Sequence, residues 1–154
     1  MKLADFIDEG LICCNIKPES KSILLENLSK RICQKYSEIN ETSLLENLLK
    51  REEENSTGIG NSIAIPHCIE EKINKTICLI AQIPDGVDFD AMDDKKVKIV
   101  FLLISPPLRM SEHIRLLARI TRIIKDRNVV TSLIDSKTNQ EILNILLQED
   151  GRHV

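Results

Sequence analysis

Among the 154 residues of this chain, three side chains stand out as able to move a charged group: His67, His113 and Arg51. A neutral imidazole is nucleophilic near neutral pH, so it can take a covalent group and later release it. Arginine supplies a permanent cation whose paired N–H donors suit phosphate oxygens. His67 directly follows Pro66 in the run SIAIPHC, residues 62–68. That run reads as a short strand, with Pro66 marking an edge position or the exit, and a strand end can present a side chain to solvent. His113 falls in the first turn of a helical segment, where the dipole and free amides favour an anion and disfavour charge on the ring. It is therefore expected as a neutral hydrogen-bond donor that orients His67 or the group His67 carries. Each residue alone also has a bland reading: a surface imidazole, a solvated first-turn residue, a cation at a helix end.

Other candidate chemistry is weaker. Cys68 adjoins His67, but neighbouring strand side chains point to opposite faces, so a site-facing His67 sends Cys68 into the core. The same geometry disfavours a catalytic thiol, and a zinc site from His67, His113 and Cys68 lacks the local ligand spacing of such centres. Gly58, Gly60 and Asn61 allow a tight turn with exposed amides, a weak signal for an anion nest. The spacing is neither GxGxxG nor a P-loop, so nucleotide binding is rejected. The acids Asp85, Asp88, Asp90, Asp93 and Asp94 do not fit a calcium loop and read as a solvated turn. No metal or cofactor is expected.

The elements that must position these residues can be read from periodicity. Residues 11–16 form an apolar strand run ended by Lys17 and Pro18. Ser20 or Ser22 caps a helix with Leu25, Leu28, Ile32 and Tyr36 on one face. A second helix begins near Thr42 or Ser43, turns Leu44, Leu45, Leu48 and Leu49 inward, and ends around Glu54 before the loop residues 55–58. Residues 76–83 and 97–104 are strands, the second (VKIVFLLI) apolar enough to be covered on both faces. Between them lies a polar connection, DGVDFDAMDD, and Pro106 and Pro107 stop the second strand. Residues 111–126 are helical, with Ile114, Leu117, Thr121 and Ile124 expected inward and Arg115, Arg119 and Arg122 opposite. Two short helices, 128–134 and 139–147, precede a GRHV tail. Strands interspersed with helices predict one layered α/β domain, residues 1–154 with a core of about 3–148, whose mixed sheet is flanked by helices on both faces.

The bulk numbers narrow the function classes. A formal net charge of −3 gives no overall attraction to nucleic acid or an anionic bilayer. Residues 109–127 hold six bases against two acids, a face that is either solvated or a docking surface for an acidic partner. No aromatics interleave there for base stacking, so nucleic acid is not an expected partner. No apolar run approaches the roughly 20 residues that span a bilayer, and the start carries acids where a secretory signal carries bases. Five cysteines, an odd number without CxxC spacing, read as reduced and mostly buried thiols of a cytoplasmic protein.

Glu52, the pair Ile59-Gly60 and the stretch Ile63-Ala64-Ile65-Pro66-His67-Cys68 together resemble the signature of the fructose/mannitol-type enzyme IIA family of the bacterial sugar phosphotransferase system, which includes a nitrogen-regulatory branch. The likeness continues through Arg51, through Phe89-Asp90-Ala91-Met92-Asp93, the strand IVFLLISP, and Ser111-Glu112-His113 with Leu116-Leu117-Ala118. It spans nearly the whole chain. The resemblance implies that His67 is the phosphoryl acceptor, that His113 lies beside it as an orienting donor, and that Arg51 stabilises the phosphate charge. It also implies a donor, the histidine phosphocarrier HPr or its nitrogen-branch counterpart, and onward transfer to an enzyme IIB domain. The alternative is a regulatory protein that binds its targets according to its phosphorylation state. The GIG and FDAMD segments look closer to the fructose and nitrogen branches than to the mannitol branch. A chain without attached membrane or IIB segments leans slightly to regulation. No residue identifies a sugar.

Overall fold

A computed structural model describes residues 1–153. After a 3-10 turn at Leu3–Asp5, the elements run β1 (Ile7–Cys13), α1 (Lys21–Lys35), α2 (Glu41–Glu54), β2 (Gly58–Gly60), β3 (Ile63–Ala64), β4 (His67–Ile69), β5 (Ile77–Val87), β6 (Val97–Ser105), α3 (Met110–Ile123), α4 (Arg127–Asp135) and α5 (Asn139–Arg152). The six strands form one mixed sheet in the order β1-β5-β6-β3-β2, with β4 also paired to β6. β1 runs parallel to β5, β5 antiparallel to β6, and β3 and β4 both parallel to β6.

Side-chain alternation on the central strands divides the apolar residues into two cores. Ile77, Leu79 and Ala81 of β5, with Val100, Leu102 and Ile104 of β6, pack on one face against Leu24, Leu25, Leu28 and Ile32 of α1 and Leu44 and Leu48 of α2. Cys78 and Ile80 of β5, with Ile99, Phe101 and Leu103 of β6, pack on the other against Leu116, Ile120 and Ile123 of α3 and Ile142 and Leu146 of α5. Helices thus cover both faces of the sheet, the architecture expected from the interspersed pattern.

Several boundaries moved. β1 lies earlier than the apolar run, because pairing with β5 gives the polar Asp8 to Gly10 stretch strand geometry, and Asn15 at φ 59° ends the extended chain. Asn40, not Thr42 or Ser43, caps α2, its side chain accepting from the Ser43 amide. β5 continues through Pro84 to Val87 across a register shift that absorbs the missing N–H, so part of the acidic connection is strand. In α3 the inward stripe is His113, Leu116, Ile120 and Ile123, one position off the expected one, and Ile114 is 61% exposed. Arg119, expected on the solvent face, is buried. Its Nε donates to Asp150 Oδ1 at 2.5 Å and its Nη2 to the Asp150 carbonyl. The helix offers two nearly equivalent apolar stripes, and these polar contacts choose between them. α5 runs on to Arg152, so Gly151 and Arg152 of the expected tail are helical; Val154 lies outside the described residues.

The strand expected at residues 62–68 splits at Ile65 and Pro66, yet keeps one register: Ile63 stands opposite Ile99 and His67 opposite Leu103, each 36 positions on. The Leu103 amide donates to the Pro66 carbonyl, so the proline removes a donor on the outer side without breaking the ladder. β2 and β3 form a hairpin whose Asn61 and Ser62 both have positive φ, 56° and 67°, the geometry of a primed two-residue turn. The tight turn is therefore at 61–62, with Gly58 and Gly60 in the strand before it.

Candidate phosphoryl-transfer site

Parity along the strand puts Ile63, Ile65 and His67 on the α3 face, and sends Cys68 to the opposite core, where it is buried as expected. Burial, followed by the nearby Glu70 carboxylate, pushes the Cys68 thiol up to about 12, so it stays protonated and unreactive. β4 has no strand on its outer side, and there the end of α2 and the start of α3 approach each other. Between them lies an open cleft of about 440 Å³ lined by Lys50, Arg51 and Glu54 of α2, His67 of β4, and Met110 and His113 of α3, among others.

The three residues singled out from sequence thus share one cleft. The His67 and His113 rings stand with centroids 5.4 Å apart at an interplanar angle of 59°. His67 is half-buried, and its Nδ1 lies 2.8 Å from the Ile65 carbonyl oxygen. A carbonyl only accepts, so Nδ1 carries the hydrogen and the lone pair of the neutral ring is on Nε2. His113 is 3% exposed, with Nδ1 2.7 Å from Ser105 Oγ. Burial first, and the neighbouring His67 second, hold its pKa below the usual histidine value, which agrees with the neutral ring expected at this position. Arg51 sits in the last turn of α2, where its Nη1 donates to the Asn55 carbonyl at 2.8 Å, leaving the rest of the guanidinium to the cleft.

The segment after Arg51 is held by a carboxylate. Glu52, 9% exposed, accepts from the Thr57 amide at 3.0 Å and from the Thr57 hydroxyl at 2.7 Å, and pairs with Lys21 Nζ at 3.3 Å. Gly58 passes so close to Ala91 that a Cβ would meet the Ala91 Cβ at 2.8 Å, and its carbonyl accepts from the Met92 amide. The Asn61 amide donates to Asp93 Oδ2, so the anion held by the glycine-rich turn is the chain's own Asp93. Backbone N–H groups of Lys95 and Asn61 lower the Asp93 pKa. The GIGN and FDAMD motifs are therefore scaffold that fixes the approach to β3 and β4.

Sequence reading passed over the groups behind His113: Ser105, Thr76 and Glu112. Thr76 Oγ1 donates to Glu112 Oε1 at 2.8 Å and lies 3.2 Å from Ser105 Oγ. Ser105 and Glu112 stood inside recognised motifs, but no spacing rule links them to Thr76, which the antiparallel β5–β6 pairing places opposite Ser105. Lys50 and Glu54 were also missed, although both lie within one helical turn of Arg51. Among the described residues no three His, Cys, Asp or Glu side chains converge as a metal centre requires.

The fold is thus a mixed α/β sheet whose edge strand brings one imidazole to a second on a covering helix, in a cleft shared with a guanidinium. Residues 5–149 match the family described as "Phosphoenolpyruvate-dependent sugar phosphotransferase system, EIIA 2", and the chain belongs to that family. It is 32% identical to the nitrogen regulatory protein of Bradyrhizobium diazoefficiens over 146 residues, 95% of each chain. It is 33% identical to the fructose-specific EIIA component of Haloferax volcanii over 104 residues, 68% of each chain. In structure it resembles the nitrogen regulatory protein IIA-Ntr of Neisseria meningitidis, with a TM-score of 0.87 and 25% identity over 94% of this chain and 98% of that one. No helix among the described residues is long and apolar enough to cross a membrane.

Proposed function

We propose that the chain is a phosphoryl carrier that accepts a phosphoryl group on Nε2 of His67. The observation that carries this reading is the hydrogen bond from His67 Nδ1 to the Ile65 carbonyl, which leaves the other nitrogen as the nucleophile in a cleft shared with His113 and Arg51. In the transfer, the Nε2 lone pair forms the new P–N bond as the donor's P–N bond breaks, and that electron pair returns to the donor histidine. Phosphoryl transfer asks mainly for positioning and charge stabilisation. Arg51 neutralises the equatorial oxygens, and His113 donates a hydrogen bond to one of them. The phosphate donor is HPr or a nitrogen-branch counterpart, and an enzyme IIB domain is the acceptor.

The test is labelling from phosphoenolpyruvate through each phosphocarrier. His67→Ala is expected to abolish incorporation, and His113→Ala to leave some labelling while slowing onward transfer. Phosphate found on another residue of the unaltered protein sinks the proposal.

A second reading has its own support: the nitrogen regulatory relative and the IIA-Ntr structure match this chain nearly end to end. There the phosphoryl group on His67 switches the binding of target proteins and is not delivered to a sugar. Rapid discharge to a IIB cysteine favours transport, and a phosphate retained in the presence of IIB favours regulation.

A further inference from the structure

Behind His113 a line of polar groups leads away from the cleft. Thr76, the residue just before β5, and Ser105, the last of β6, lie side by side on the face that α3 covers, and both are buried, at 4% and 0% exposure. Contacts run from His113 Nδ1 to Ser105 Oγ at 2.7 Å, on to Thr76 Oγ1 at 3.2 Å, and on to Glu112 Oε1 at 2.8 Å. Glu112 Oε2 lies 3.5 Å from Arg109 Nη1 at the surface.

Each hydroxyl has one hydrogen, and this fixes the direction of the chain. Glu112 Oε1 accepts from the Thr76 hydroxyl, so Thr76 has only its oxygen to offer Ser105. Ser105 then donates to Thr76 and must accept from the ring, which places the hydrogen on His113 Nδ1. In the opposite arrangement Ser105 donates to Nδ1, and the buried Thr76–Ser105 contact is left without a hydrogen. An unmade hydrogen bond between buried hydroxyls is costly, so the first arrangement prevails.

We propose that Glu112, Thr76 and Ser105 form a relay that holds His113 as the Nδ1–H tautomer and balances the charge of a proton taken up on Nε2 when His67 carries a phosphoryl group. The inference rests on His67 as acceptor. In the free protein Nε2 has only a lone pair and cannot donate to a phosphate oxygen. While the cleft is empty, burial and the neighbouring His67 oppose protonation of the ring; Lys50, Arg51 and Glu54 of α2 line the same cleft, and Glu112 ends the relay behind it. A phosphoryl dianion reverses that balance. Nε2 then takes a proton from solvent and donates it in a hydrogen bond to the phosphoryl oxygen, while Nδ1–H still points down the relay to the Glu112 carboxylate. Thr76, Ser105 and Glu112 are positioning residues, since none of them reaches the reacting atoms.

The test is nitrogen-15 NMR of the histidine rings in free and phosphorylated protein, with Thr76→Val cutting the relay at constant shape and Thr76→Ser retaining the hydroxyl. The expected free protein shows Nδ1–H on His113, the Thr76→Val protein shifts to Nε2–H, and Thr76→Ser matches the unaltered chain. After phosphorylation both nitrogens carry hydrogen in the unaltered chain and in Thr76→Ser, and only one does in Thr76→Val and Glu112→Gln. Transfer through His67 should slow by about tenfold to a hundredfold in Thr76→Val, the worth of one charge-assisted hydrogen bond, with Thr76→Ser restoring it. An Nε2–H tautomer in the free unaltered protein, or one indifferent to Thr76→Val, overturns the relay. A protein that takes no phosphate on His67 overturns the acceptor reading and the charge-balancing role with it, while the tautomer of the free protein reports on the relay separately.

Discussion

Nδ1 of His67 is bound to a backbone carbonyl and Nδ1 of His113 to a serine hydroxyl, and on this difference rest the separate roles proposed for the two rings. The first ring is fixed by a group that can only accept; the second ends a line of hydroxyls that can respond to charge. His113 also makes stability depend on pH. Its folded pKa is depressed by burial and then by His67, so the unfolded chain binds a proton more readily. The associated stability is present above the unfolded value of about 6.5 and is lost as pH falls from there through the folded pKa. Urea midpoints at pH 7.5 and 5.5 should show a loss on acidification that is smaller in His113→Gln. Arg51→Lys keeps the charge but loses the paired donors, and is expected to label about tenfold more slowly, as read by initial rates of phosphate incorporation.

At the scale of elements, the site depends on how the chain leaves α2 and enters β3. The Glu52 carboxylate ties Thr57 back onto the helix that carries Arg51, and Gly58 lies against Ala91 with no room for a Cβ. Glu52→Ala leaves the Thr57 amide without its acceptor and Lys21 without its counter-ion, held only by the Phe89 carbonyl, and is expected to cost about 2–4 kcal/mol in urea unfolding. Gly58→Ala forces backbone and Ala91 apart, a change of about 1–3 kcal/mol by the same measurement. Neither residue is in the cleft, so surviving folded protein should still label on His67. These motif residues fix a loop, and the Asn61 amide of the glycine-rich turn is taken up by Asp93.

For the whole molecule, the closing contact joins α3 to both ends of the chain. Asp150 accepts from Arg119, from the Leu3 amide at 3.1 Å and from the Ala4 amide at 3.2 Å. The Arg119 hydrogen bond and the two amides hold the Asp150 carboxyl below its usual range against the opposing effect of burial. Ending the chain at Gln148, close to the expected limit of the core, removes this anchor. The truncated protein should lose about 3–5 kcal/mol, the cost of breaking a buried ion pair from one side, and Asp150→Ala should lose a similar amount in equilibrium unfolding.

From the residues alone came the acceptor candidate, its two companions, the family likeness, and the alternation of strands with helices. Apolar periodicity and local turn chemistry are written in neighbouring residues, so a cap at Ser20 or Ser22, of which the fold uses Ser20, and an inward face of Leu44, Leu45, Leu48 and Leu49, of which Leu44 and Leu48 are fully buried, were legible. Properties that need distant segments to meet were not. The rotation of α3 could not be chosen while Ile114, Leu117 and Ile124 competed with Leu116, Ile120 and Ile123, because both stripes are apolar. Burial of His113 and Arg119 against Ser105 and Asp150 decided it. Thr76 acquires its place only through the pairing of β5 with β6, and Arg51 meets His67 only because α2 and α3 flank an unpaired sheet edge. The sequence by itself determined which side chains were available; the tertiary structure decided which ring nitrogen of His67 is bound to a carbonyl and which faces the cleft, because hydrogen-bond direction depends on partners brought together by folding.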